Sequence, residues 1–266
     1  MRKIVVLALS LFASLILTAC DRKNADVSAE NVKVACTEIT ERILAPALPL
    51  LKEKGFNIET VIVDNNVNVL RAINDASVDA GLGVHIKFMQ SFNQKSHGQL
   101  AMVKPYPFTT GIGLYSERYA RIADLPQGAT IAIMNDAMNM DRGLRILQNA
   151  GLIQLNTDKK GELSLLDITG NPRNFKFLDM DQIQTVRALP DVDASVVFFT
   201  HMRNANKDFR SYLIRDRDAQ QFPMGLVVLQ PNIDKPWAKA LAEALRSQPV
   251  REGITRNFDG VFEYYD

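Results

Sequence analysis

Short apolar runs of strand length alternate with longer segments of helical spacing through residues 32–247, and this alternation restricts the fold more than any other feature. It argues for an α/β chain with largely parallel pairing, because a parallel neighbour can be reached only through a crossover, usually a helix. Residues 32–35, 57–64, 130–134, 192–199 and 225–230 read as strands. Thr37 is placed to cap a helix running from Glu38 towards Lys54 and closed by Gly55, with Pro46 and Pro49 marking either a later start or a kink. Residues 66–76 read as a helix, and 77–81 as a short strand entering a tight turn at Gly81-Leu82-Gly83. A further helix begins near Met138 and Asn139, carries Leu144, Ile146, Leu147 and Ala150 at helical spacing, and ends at Gly151. Residues 234–247 form an amphipathic helix with Pro236 in its first turn. Residues 102–116 (MVKPYPFTTGIGLYS) are extended and glycine-bearing, as expected of a chain crossing between two lobes.

The first residues belong to no such pattern. Arg2 and Lys3 precede an apolar run broken only by Ser10 and Ser14, which is the layout of a secretory signal. A membrane-spanning helix needs about 20 apolar residues, and this run meets Cys20 and then Asp21, Arg22 and Lys23 too soon. Leu17-Thr18-Ala19-Cys20 has the form of a bacterial lipobox, which predicts cleavage before Cys20 and lipidation of that residue. An ordinary secreted protein with an incidental Cys20 thiol is the alternative. Asp21 resembles the signal retaining such lipoproteins in the inner membrane of Gram-negative bacteria. Residues 20–31 are polar and read as the lipidated cysteine and a flexible stalk.

Cleavage removes two cations and moves the formal net charge from +1 to slightly negative, so nothing in the charge argues for nucleic acid. Of two cysteines, only Cys36 remains after lipidation, which rules out an internal disulfide. His85, His97 and His201 are scattered with no metal-ligand spacing, and no nucleophile elbow, Walker loop or H-E-x-x-H is present. The expectation is therefore no metal, no cofactor, no catalytic residues and no enzyme. Cys36 is the best opening for an enzyme, as a thiol near a helix start whose pKa is open to lowering.

Several long pieces, in shared order, carry a resemblance: LLKEKG at 50–55, VDAGLGVHIKFMQSFN at 78–93, GLYSERYARIADLPQGATIAI at 113–133, NDAMNMDRGLRILQNAGLI at 135–153, DITGNPRNFKFLDMDQIQTVRALPDVDASVV at 167–197 and SQPVREGI at 247–254. From Val32 almost to its end the chain resembles the NlpA/MetQ family, the methionine-binding lipoproteins that serve ABC importers. The resemblance implies a two-lobed, Venus-flytrap periplasmic-binding-protein fold of type II, with two crossover strands. It implies a lobe of residues 32–112 with 203–266, and a second of 113–202. The implied function is a membrane-anchored, periplasm-facing substrate-binding lipoprotein with an amino-acid ligand, an ABC transporter permease as partner and the membrane reached through lipid on Cys20. The alternative is a divergent paralogue that binds another small ligand or serves the envelope without transport.

Arg142 matches the arginine of the family's N-D-P-x-N-x-x-R pattern and is the expected holder of a ligand carboxylate; its structural alternative is a surface pair with Asp141 or another neighbour. Asn139 matches the pattern's second asparagine, or is a plain helix cap. His85 stands where the family has a site histidine. Gly81, Leu82, Gly83 and Val84 replace the family's usual asparagine, tyrosine, phenylalanine and glutamine, and Phe198, Phe199, Thr200 and His201 replace its asparagine-glycine-asparagine-tyrosine. Phe198 and Thr200 join the candidate ligand-binding set, Phe198 or Phe199 refilling the vacated volume unless both are core residues.

Overall fold

The computed structural model describes residues 29–265, so the signal segment, Cys20 and most of the stalk lie outside the described residues. The chain opens with β1 (Glu30–Cys36), α1 (Glu38–Leu44), α2 (Leu48–Glu53), β2 (Phe56–Ile62), α3 (Asn66–Asn74), β3 (Ala80–His85) and α4 (Ile86–Ser96). Next come β4 (Leu100–Met102), β5 (Phe108–Thr110), β6 (Ile112–Tyr115), β7 (Thr130–Met134) and α5 (Ala137–Asn149). They are followed by β8 (Gln154–Leu155), β9 (Ile168–Gly170), β10 (Lys176–Met180), α6 (Gln182–Arg187), β11 (Ala194–Phe198) and α7 (Phe199–Asn204). The chain ends through β12 (Ile214–Arg215), β13 (Met224–Leu229), α8 (Pro236–Ala244), α9 (Gln248–Phe258) and β14 (Phe262–Tyr264).

Two sheets organise these elements. The larger has the order β14-β5-β13-β3-β1-β2, with β4 also on β13, and the smaller has the order β10-β7-β11-β6-β12. The chain passes between them twice: at Gly111, between β5 and β6, and again between β12 and β13. β1 pairs in parallel with β2 and β3, and β7 in parallel with β10 and β11, whereas β13 and β6 return antiparallel. The short β12 belongs to the smaller sheet, although the expected segment 203–266 set it with the other lobe.

The larger sheet is covered on both faces, and the period-two alternation of its strands sorts side chains between two cores. Val34 and Val228 pack with Ile43, Leu44, Trp237 and Leu241 beneath α1, α8 and α9. Their neighbours Ala35 and Val227 pack with Val69, Leu70, Ile73 and Met89 of α3 and α4. The smaller lobe has its own core of Ile131, Ile133, Leu144, Leu147 and Val196.

Two local expectations are corrected. The single helix from Glu38 to Lys54 is interrupted: α1 stops at Leu44, a tight 3-10 turn covers Ala45–Ala47, and α2 restarts at Leu48. Pro46 and Pro49 each fall in a first turn, where a missing N–H costs nothing, so the chain breaks the helix rather than carrying proline inside it. Gly81-Leu82-Gly83 is not a turn but the buried middle of β3. A Cβ on Gly81 would lie 2.4 Å from Val69 Cγ1, and Gly83 has φ +115° with Thr40 Cγ2 2.6 Å from the same construction. These glycines let α3 and α1 close onto the strand.

Candidate functional site

A cavity of about 400 Å³ opens between the sheets. Its lining reads as a list of helix starts: Thr37 to Thr40 before and within α1, Asn65 and Asn66 at α3, His85 at α4, Asn139 and Arg142 in α5, Asp181 to Ile183 at α6, and Phe198 and Thr200 at α7. The cause is topological. Each of these helices follows a strand, so the carboxyl ends of β1, β2, β3, β7, β10 and β11 converge on one crevice together with helix starts, whose first N–H groups have no partner within the helix. Such ends attract carboxylates.

Arg142 is deeply buried, with 3% of its side chain exposed, and lines this cavity. The surface pairing with Asp141 does not occur: Asp141 accepts from Arg145 Nε at 2.9 Å and from the Leu163 N–H at 3.0 Å. Arg142 instead donates through Nη2 to Asp216, whose side chain is 1% exposed, and to the Thr110 carbonyl at 3.1 Å. Its Nε is shut off from solvent without a partner. The guanidinium carbon lies 4.1 Å from the Phe222 ring centroid and 5.8 Å from that of Phe198. Burial pushes the Asp216 carboxyl above its ordinary range while Arg142 pulls it back down. An edge of the fork that was expected to grip a ligand carboxylate is thus already taken by an internal carboxylate.

His85 caps α4. The Phe88 N–H donates to its Nδ1 at 3.0 Å, so the ring proton sits on Nε2, which donates to Asn139 Oδ1 at 3.0 Å. Asn139 Nδ2 in turn donates to Asp136 Oδ2 at 3.0 Å. Asn139 is therefore not the cap of α5: Asp136 is, accepting the Asn139 N–H at 2.9 Å. Burial, with Arg142 adding repulsion, pushes His85 down to about 3, and it is neutral at physiological pH. Burial likewise brings His201 down to about 4. Among the described residues, no group of three or more His, Cys, Asp or Glu side chains is arranged to hold a metal.

The adjacent phenylalanines separate. Phe198 ends β11 at the edge of the smaller core and also lines the cavity, while Phe199 packs into the larger core, stacked on Tyr212 at 5.8 Å and tilted against Phe209 at 5.5 Å. Thr200 follows into the cavity wall, with His201 beside Phe198 at 5.8 Å. All five candidates, His85, Asn139, Arg142, Phe198 and Thr200, are thus brought to one cavity. Cys36 is excluded from it and fully buried, and burial pushes its thiol up to about 12, the opposite of an activated nucleophile. The lipidation candidate Cys20 lies outside the described residues. Asp216, Phe222 and Gln182, whose Oε1 is buried in the wall without a partner, went unnoticed in the sequence. The run Arg215-Asp216-Arg217-Asp218 looks like a solvated charge cluster, and no local signal marks one member as a core ion.

Two α/β lobes joined by two crossings, with a cavity at converging helix starts, define a periplasmic-binding-protein architecture. The chain superimposes on an ABC transporter periplasmic substrate-binding protein from Coxiella burnetii with a TM-score of 0.82, at 24% identity, covering 88% of this chain and all of the other. It matches the structure of a nutrient binding protein from Burkholderia cenocepacia bound to methionine with a TM-score of 0.81, at 26% identity over 88% of this chain and 100% of that one. In sequence it is 28% identical over 271 residues to the methionine-binding lipoprotein MetQ of Bacillus subtilis, covering 98% of this chain and 97% of that protein. The profile of the NlpA lipoprotein family matches residues 32–263, and the chain belongs to that family.

Proposed function

We propose that this chain is the substrate-binding lipoprotein of an ABC importer and takes methionine or a related amino acid between its lobes. The observation that carries this reading is the cavity itself: about 400 Å³, within the range of small-molecule sites, roughly 300–1,000 Å³, with helix starts and Arg142 for a carboxylate and Phe198 and Phe222 beside them. Support comes from relatives whose names and ligands concern methionine. In this reading Arg142 and the helix starts hold the α-carboxylate, His85 and Asn139 brace the wall, and Phe198 and Thr200 meet the rest of the ligand. The lobes are residues 32–112 with 203–266 and 113–202, the former giving up β12, and closure of one on the other is what the permease reads. Lipid on Cys20 ties the body to the membrane on its periplasmic side. No helix among the described residues is long and apolar enough to cross a membrane.

The protein acts as a binder and not an enzyme; the buried, protonated Cys36 supports this. A second reading, a paralogue with a different ligand or an envelope role without transport, draws on one observation, the occupation of Arg142 by Asp216. Native mass spectrometry of the protein expressed from Asp21 without its anchor decides between them. An added mass equal to methionine is expected. A different adduct, or an empty protein that ignores a panel of amino acids, favours the second reading.

A further inference from the structure

The charge balance of the cavity carries an inference that rests on the amino-acid-binding reading. Among the described residues lining the cavity Arg142 is the one buried cation; Asp216 behind it pairs with it, the two side chains being 3% and 1% exposed, and Asp216 also lies 3.6 Å from Arg215, which pairs with Glu263 at 2.8 Å, so that these four charges balance. The other ionised groups lining the cavity are Glu38, Asp64 and Asp181 against Arg187 alone. His85 and His201 are neutral, and Lys87, whose Nζ lies 4.2 Å from the Phe222 centroid, is not part of the lining. The helix starts contribute only partial positive charge, and those of α3, α4, α5 and α6 are already capped by Asn65, His85, Asp136 and Asp181. A zwitterion entering this cavity finds a balanced set: guanidinium hydrogens and backbone N–H groups for its carboxylate, carboxylates for its ammonium. A second carboxylate finds no unmatched cation and an excess of acid. Desolvating a second, unpaired carboxylate is costly, and the exposed Glu38 and Asp64 at the rim add only screened repulsion.

We propose that Asp216 sets the charge specificity of the site: by holding Arg142 in a buried ion pair it leaves no unbalanced cation, so that amino acids with neutral or cationic side chains are accepted and dicarboxylic ones excluded. Asp216 is a positioning residue here, acting on the ligand through Arg142.

Glutamine and glutamate test this, being close in shape and differing in charge, with methionine as the reference of similar length. Isothermal titration of the anchor-free wild type is expected to show glutamate binding at least about ten-fold more weakly than glutamine, and Asp216→Asn is expected to narrow that ratio by about ten-fold. Asp216→Glu, which keeps the charge, should retain the wild-type ratio. Equal affinity of the wild type for glutamate and glutamine overturns the proposal even if Asp216→Asn fails to fold. A folded Asp216→Asn with an unchanged ratio overturns it as well. If the wild type binds methionine but not glutamate or glutamine, the comparison moves to lysine, norleucine and 2-aminoadipate, and acceptance of 2-aminoadipate alongside norleucine overturns the proposal. A wild type that binds no amino acid at all removes the underlying reading together with this inference.

Discussion

His85 shows how much of this protein's behaviour is decided by a single ring. Its Nδ1 caps α4 and its Nε2 reaches Asn139, so it links a helix packed on the larger sheet to one packed on the smaller. The ring is held neutral, pushed from 6.5 to about 3 by burial and by Arg142. A group whose folded pKa lies below its unfolded value stabilises the fold fully above the unfolded pKa and loses that contribution as pH falls towards the folded one. Stability should therefore decline on acidification from about pH 6.5 towards pH 3, by up to about 1.4 kcal/mol per pH unit for this residue. His201, brought down to about 4, adds to the decline, and the raised carboxyls of Asp136 and Asp216 oppose it at the acid end. His85→Asn keeps a capping side chain and removes the titration. Urea unfolding at pH 6.5 and pH 5 should show a shallower pH slope for this variant than for the wild type, and equal slopes would mean that His85 is not buried neutral. The family resemblance named His85, Asn139 and Arg142 as candidates from sequence alone, the last two by a motif and His85 by its position. Asp216 was not foreseen, because a hydrogen bond between residues 142 and 216 spans 74 positions and leaves no periodic trace, whereas Asp136, three residues before Asn139, is a local helix-cap signal that the reading of Asn139 as the cap passed over.

At the scale of elements, β3 is the strand on which the larger lobe depends, lying between β1 and β13 with every residue buried. Its glycines mark where helices must touch the backbone. Gly81→Ala would set a methyl 2.4 Å from Val69 Cγ1 and 2.8 Å from Ile73 Cδ1, a clash relieved by moving those side chains or shifting α3. The expected cost is about 1–3 kcal/mol, read as a lower urea midpoint with an unchanged slope. A wild-type midpoint would show that those side chains or α3 yield freely. Most elements were legible: β7 falls on residues 130–134 as expected, β2, β11 and β13 fall within two residues of expectation, and α5 begins one residue before Met138. The failures share a cause. Gly-x-Gly reads locally as a turn because glycine is so often used for one, while its use here is close packing, a property of two elements and not of one. The interrupted helix of residues 38–53 was flagged by Pro46 and Pro49, but where the chain would break depended on the packing of α1 and the intervening turn against α9.

For the whole molecule, the site exists only because two lobes meet. Larger-sheet elements supply His85, Thr37 and Asn65 to the cavity wall, and smaller-sheet elements supply Asn139, Arg142, Phe198 and Thr200. Links across the crevice run from His85 to Asn139, from Arg142 to the Thr110 carbonyl at 3.1 Å, and from Arg215 to Glu263 at 2.8 Å. A ligand bound there adds contacts to both sides and is lost on unfolding of either, so saturation with methionine at 100 times its dissociation constant should stabilise the protein by about 2.7 kcal/mol. Thermal unfolding with and without methionine measures this, and an unmoved midpoint at such concentrations would rule out methionine as the ligand. The sequence by itself determined what is periodic or contiguous: the alternation of strand and helix, the extended crossing that passes Gly111, and the helix start that carries Arg142. Only the tertiary structure decided that Phe198 faces the cavity while Phe199 enters the core, and that Asp216 neutralises Arg142. Side-chain direction at a strand end and the pairing of distant charges follow from how separately folded layers pack, and packing is a relation between segments that no stretch of sequence contains.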